Sequence, residues 1–107
     1  MTNDDSSRSR YKIVYLPIAV KDLEEIVDYN LRENNERIIE IVDQIEERIS
    51  DLSLFPEMGR IPDNNRLKNL GYRLLLVDKY IVFYVFQNEI VQIRRIIHGK
   101  RKYDFLL

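Results

Sequence analysis

The chain has no cysteine and no tryptophan, a single histidine, and only three glycines and three prolines in 107 residues. Without thiols there is no disulfide and no thiolate-held zinc, so stability has to come from an ordinary packed core. With one histidine, no metal centre is expected, and no cofactor either. No run approaches the roughly 18 apolar residues of a membrane span. Residues 1–10 are polar and lack the apolar centre of a signal peptide, so a disordered tail over 1–10 and a single domain over 11–107 are expected, in a cytoplasmic setting. What is present is 45% hydrophobic and 33% charged residues, the balance of a globular domain of a size that builds one core.

Charge is nearly balanced overall and strongly segregated along the chain. From Lys21 to Asp51 there are 11 acidic and 4 basic residues, a net of −7, whereas from Arg60 to Tyr103 there are 10 basic and 3 acidic residues, a net of +7. One account is simply two solvated helices and a solvated sheet. The other is a dipolar molecule whose cationic end meets an acidic partner, with the acidic half keeping nucleic acid away from every other surface.

Apolar spacing sets out the elements. Tyr11–Leu16 reads as a short strand. Pro17 suits the first turn of a helix, where a missing N–H costs nothing. Ala19, Val20, Leu23, Ile26, Val27 and Leu31 then recur at helical spacing, with Lys21, Asp22, Glu24, Glu25 and Asp28 assigned to the outer face. Asn34-Asn35 break this pattern and are expected to cap a second helix carrying Ile38, Val42, Ile45, Ile49 and Leu52. So short a break implies an antiparallel helical hairpin. Leu54–Pro62 reads as a loop and Asp63–Leu70 as irregular. Tyr72–Val77, Tyr80–Phe86 and Glu89–His98 form a meander, joined through Asp78-Lys79 and Gln87-Asn88. The expected fold is α+β, in the order β-α-α-β-β-β, with the helical hairpin packed on an antiparallel sheet meander.

The last strand ends in concentrated positive charge: Arg94, Arg95, His98, Lys100, Arg101 and Lys102. Strict alternation puts Ile90, Gln92, Arg94, Ile96 and His98 on one face, able to line an open groove. Val91, Ile93, Arg95 and Ile97 fall on the face toward the helices, where Arg95 must reach an edge or a carboxylate. Taken singly, each cation also fits a solvated tail or a surface pair with the acidic helices, which contributes little. Tyr72, Tyr80 and Tyr84 fit packing as well as base stacking.

Several local features resemble the RelE/ParE superfamily of bacterial type II toxins. They are Pro17-Ile18-Ala19 with Asp22-Leu23 and Ile26; Phe55-Pro56 and Gly59-Arg60 after the second helix; Arg73; Tyr84; and the closing Ile96-Ile97-His98-Gly99-Lys100-Arg101. The resemblance spans about Tyr11 to Tyr103 and rests on order and spacing rather than on one motif. It implies a small cytoplasmic toxin, of the kind that stabilises plasmids, held silent by a cognate antitoxin in a hetero-oligomer. Two activities go with it. ParE-like members inhibit DNA gyrase and need no hydrolytic site. RelE-like members cleave mRNA on the ribosome.

A nuclease of this kind needs a base for the 2′ proton, an acid for the leaving 5′ oxygen and cations for the phosphorane. Arg73, His98 and Arg101 are the candidates here, and Arg94, Lys100, Lys102 and Tyr103 are the candidates for binding the target. Against cleavage, the position on the third strand where RelE-like nucleases resemble one another in carrying a cation is Ile81, and a second such position on the preceding strand is Leu75. Contacts of that type are worth about 3–4 kcal/mol in a transition state. The sequence pI of about 5.8 is also low for a protein that enters the ribosome. The resemblance therefore implies a ParE-like toxin acting on gyrase, with mRNA cleavage, or antitoxin binding without activity, as the alternatives.

Overall fold

The structure is a computed structural model and describes residues 10–103 and 107; the tail expected over 1–10 lies, apart from Arg10, outside the described residues. The elements are β1 (Lys12–Tyr15), α1 (Pro17–Arg32), α2 (Ile38–Asp51), α3 (Asn65–Asn69), β2 (Arg73–Val77), β3 (Tyr80–Gln87) and β4 (Ile90–His98). They build an α+β domain around a four-stranded sheet of order β1-β4-β3-β2. The meander is antiparallel as expected, and β1 adds to β4 in parallel, with Lys12 opposite Ile90 and Tyr15 opposite Ile93. Asp63–Leu70 is not wholly irregular, because it contains α3. Asn64 caps that helix by accepting the Leu67 N–H at 3.0 Å, and the fully buried Leu67 anchors it. One turn held by one leucine is too short to leave a periodic signal.

The hairpin turns are made by side chains in the left-handed region. Asp78 has φ 54°, and Asn88 and Glu89 have φ 53° and 62°. The second turn is thus Asn88-Glu89, one residue later than expected, with both residues at the positive φ that a tight two-residue turn requires. Asn34, at φ 60°, ends α1 rather than capping α2. The N-cap of α2 is Arg37, whose side chain makes no capping bond.

α1 and α2 cover one face of the sheet. Ala19, Ile38, Ile41, Ile45, Ile49 and Leu52 pack there on Leu75, Val77, Tyr80, Val82, Tyr84, Val91, Ile93 and Ile96. Leu67, Tyr72, Leu74, Phe83 and Ile97 form a smaller cluster on the other face. The buried line of α1 is not the one periodicity suggested. Val20 and Leu31 are exposed, while Asp22 and Asn30 are buried. Asp22 faces inward because β4 presents it with donors. Arg95 donates through Nε to Oδ2 at 2.8 Å and through Nη2 to Oδ1 at 2.9 Å, and the Ile96 N–H reaches Oδ2 at 2.9 Å. The two side chains are only 12% and 8% exposed, so this is a forked, dehydrated ion pair of the strong kind. Hydrogen bonding to Asp22 is the main reason the Arg95 pKa rises further above its ordinary value.

This clamp sits on a β-bulge. Phe83 pairs with Arg95 but Tyr84 pairs with Ile93, leaving Arg94 as the extra residue. A bulge advances the side-chain alternation by one. Val91, Ile93 and Ile96 therefore share the helix side, and Ile97 moves to the opposite cluster. His98, expected beside Arg94 on an open face, instead lies against Tyr80 on the helix side, with ring centroids 5.4 Å apart.

A second tie holds the loop after α2. The buried Tyr84 hydroxyl donates to the Pro56 carbonyl at 2.6 Å and accepts the Gly59 N–H at 2.9 Å. The next residue, Arg60, forms a bridge with Leu74 through backbone bonds of 2.9 and 2.8 Å, covering part of the β2 edge. A Cβ at Gly59 would stand 2.6 Å from the Tyr84 oxygen and 2.8 Å from the Leu74 carbonyl. No side chain fits there.

Three stability outcomes follow from these contacts. Asp22→Ala strands a buried guanidinium and should cost about 3–5 kcal/mol in urea unfolding, a large share of the stability of a domain this size. Gly59→Ala should cost about 1–3 kcal/mol, and Tyr84→Phe, which keeps the ring and loses both bonds of the hydroxyl, about 1–3 kcal/mol. Burial, with Glu46 adding to it, pushes the Tyr15 pKa from 10.0 up to about 12. The unfolded phenol ionises first, so the contribution of Tyr15 is intact below pH 10.0 and is lost as pH rises toward about 12. Denaturant midpoints measured across that window should fall, and Tyr15→Phe should flatten the slope.

Candidate functional site

The cationic residues singled out in the sequence fall into three separate places. Arg73 stands at the start of β2, on the helix side of the sheet. Its Nη1 donates to the Glu57 and Gly59 carbonyls at 3.2 and 2.9 Å, and its guanidinium lies 5.7 Å from the Phe86 ring. It works as a fastener for the loop that Tyr84 also holds. Arg73 pairs with Tyr84, and His98 pairs with Tyr80, which puts the two about 13 Å apart along the strands. Arg73 is thus not brought to His98 or Arg101.

Arg94, the extra residue of the bulge, points to the side of the sheet away from α1 and α2. Its Nε donates to the Gln92 amide oxygen and its guanidinium sits over the Tyr72 ring, 5.7 Å from the centroid, with Nη1 3.4 Å from the Tyr72 hydroxyl. Tyr103 lies on the same side, its ring 4.8 Å from that of Phe83. This face has an apolar floor and one guanidinium already engaged by two neighbours. Ile81 packs against the same floor, while Leu75 is buried beneath the helices. A cation at position 75 would enter the core rather than a site.

His98 and Arg101 do come together. Both line a cleft of about 480 Å³ between α1, the start of α2, the β2–β3 hairpin and the end of β4. The turn beyond β4 is held by the Gly99 N–H on the Lys79 carbonyl at 2.8 Å and by the Arg101 N–H on the His98 carbonyl at 3.0 Å. The Lys100 N–H donates to His98 Nδ1 at 3.1 Å, so a neutral His98 carries its hydrogen on Nε2. Lys100, Arg101 and Lys102 are exposed on this turn.

Sequence reasoning missed most of the cleft. Tyr80, Asn30, Lys79, Arg37 and Glu25 also line it. Asn30 was the one findable member, because an asparagine at the helical spacing of Ala19 and Ile26 is a polar residue on a buried stripe. Among the described residues, no group of three or more His, Cys, Asp or Glu side chains is placed to hold a metal ion, and no helix is long and apolar enough to cross a membrane.

The fold and this arrangement can be compared with known proteins. The chain is similar to a structure of the chromosomal ParDE toxin–antitoxin system from P. aeruginosa, with a TM-score of 0.70 and 21% identity over 86% of this chain and 99% of that one. It is also similar to the RelBE2 toxin–antitoxin complex from Mycobacterium tuberculosis, with a TM-score of 0.54 and 20% identity over 83% of this chain and 91% of that one. At such identities the likeness is one of fold. No curated protein sequence matches the chain. The family model described as ParE toxin of type II toxin-antitoxin system, parDE, matches residues 13–103. That is nearly the whole domain, and the chain belongs to the ParE family of type II toxins.

Proposed function

We propose that this ParE-family toxin arrests growth by binding DNA gyrase in the cytoplasm and is neutralised by a cognate antitoxin. The observation that carries the choice of gyrase over mRNA is the separation of Arg73 from His98 and Arg101. Cleavage through a 2′-OH needs acid, base and phosphate-holding cations around one phosphate. Here one candidate cation is spent on loop carbonyls, Arg94 is held on the opposite face of the sheet from His98, and Ile81 leaves the open face without a charge at its centre. A toxin that works by binding needs no such convergence. It needs a presented surface, and the exposed Lys100-Arg101-Lys102 turn provides one.

Antitoxin binding has its own support. The outer face of the helical hairpin carries a groove with Val20, Val27 and Val42 between Glu24, Asp28 and Glu46. An amphipathic antitoxin segment with basic flanks fits there, while an acidic stretch fits the cationic turn at the other end. The two charges of the toxin thus specify two oppositely charged stretches of one partner.

The decisive assay is gyrase supercoiling with purified toxin freed of antitoxin. Supercoiling should be inhibited. Replacing Lys100, Arg101 and Lys102 together by glutamate should weaken inhibition about tenfold or more, with the fold intact by circular dichroism. Unchanged supercoiling at saturating toxin would overturn the proposal, and new 5′ ends in translated mRNA would assign the toxin to the ribosome instead.

A further inference from the structure

The cleft beside α1 contains a buried donor that meets no acceptor among the described residues. Tyr80 is 7% exposed and lines the cleft wall. Its hydroxyl oxygen accepts the Asn30 amide at 3.3 Å. Asn30 also donates to the Ile26 carbonyl at 2.7 Å and accepts from the Asn35 amide at 2.8 Å. The donor without an acceptor is the hydroxyl hydrogen of Tyr80. Buried polar hydrogens are nearly always paired, and an exception marks a place where something else supplies the partner.

We infer that this cleft is a binding site for a monocarboxylate carried on an apolar stem. The carboxylate accepts the Tyr80 O–H, with His98 and Arg101 lining the same cleft as further donors. His98 contributes through Nε2, since its Nδ1 is occupied by the Lys100 N–H. The stem lies against Ile26, Ile41 and Ile96. A volume of about 480 Å³ suits a small ligand or a residue pair of a peptide. The lining sets Asp22, Glu25 and Asp78 against Arg37, Lys79 and Arg101, so no net positive charge is left over for a phosphate dianion, and a single negative charge fits better. The carboxylate could come from a free acid or from an acidic side chain next to an apolar residue of a polypeptide. Neither source depends on gyrase being the toxin's target.

The test is a ¹H–¹³C methyl NMR titration of the full chain with two probes, hexanoate and a blocked leucyl-aspartyl-leucine peptide. Saturable shifts at the Ile26, Ile41 and Ile96 methyls are expected with at least one of them. Tighter binding of the peptide assigns a polypeptide source, and tighter binding of hexanoate assigns a free acid. Tyr80→Phe keeps the packing ring and should weaken the preferred probe about tenfold or more. Arg101→Ala, an exposed change that leaves the fold alone, should weaken it less and reduce its salt dependence. The inference is overturned if neither probe gives saturable shifts in the cleft, if Tyr80→Phe binds as well as the parent, or if inorganic phosphate displaces both probes at lower concentration.

Discussion

The carboxylate of Asp22 holds the two layers of this protein in register. It reaches from α1 into β4 and takes three hydrogen bonds there, two from Arg95 and one from the Ile96 backbone. Hydrophobic packing of α1 on the sheet is non-directional and would tolerate sliding by a residue. A forked ion pair between two nearly dry side chains does not, because a shifted register would leave both charges buried and unpaired. The clamp also occupies the one stretch of β4 where the ladder is irregular. With Arg94 as an extra residue, the strand has a backbone N–H to place outside the usual ladder, and the Asp22 carboxylate takes the one at Ile96.

The consequences of that bulge run to the end of the strand. It separates Arg94 from His98, turning the first toward Tyr72 and the second toward Tyr80 and the cleft. Without the extra residue both would share a face with Gln92, as strict alternation requires. Whether the C-terminal cations form one site or two is thus decided by a backbone irregularity a few residues upstream, fixed by a carboxylate on a helix. Evolution within such a fold can move charges between the two faces by adding or removing one residue in β4, with no change in composition.

This explains what could and could not be read from residues alone. Helical spacing from Ala19 to Ile26 and from Ile38 to Leu52, and the three apolar strands after Gly71, are local patterns, and they gave the element order and the α+β class. The need of Arg95 for a carboxylate was also legible, since a guanidinium among apolar neighbours has few other solutions. Which carboxylate it takes was not, because Asp22 lies among other acidic residues of α1 and only the three-dimensional pairing singles it out. The bulge leaves no compositional mark. Nor does α3, whose stability comes from Leu67 packing under the sheet and an Asn64 cap rather than from length. The cleft was invisible for the same reason: its walls come from four elements that meet only after folding.

The fate of Arg73 links stability to function. An arginine at the start of β2, at a position that resembles a cationic one of RelE-like toxins, invites a catalytic reading. In this chain its guanidinium is spent on two backbone carbonyls of the loop that Tyr84 and Gly59 also fasten. Those carbonyls follow the end of α2 and have no ladder to join; the Glu57 one is open to water, but the part-buried Gly59 one depends on a side chain. Freeing Arg73 for a phosphate would take the donor from the part-buried Gly59 carbonyl and loosen the loop that covers the edge of β2. The conflict between holding the loop and holding a phosphate is resolved here in favour of the loop. That commitment, together with the charge displayed on the exposed Lys100-Arg101-Lys102 turn, fits the proposed action by contact better than one by hydrolysis.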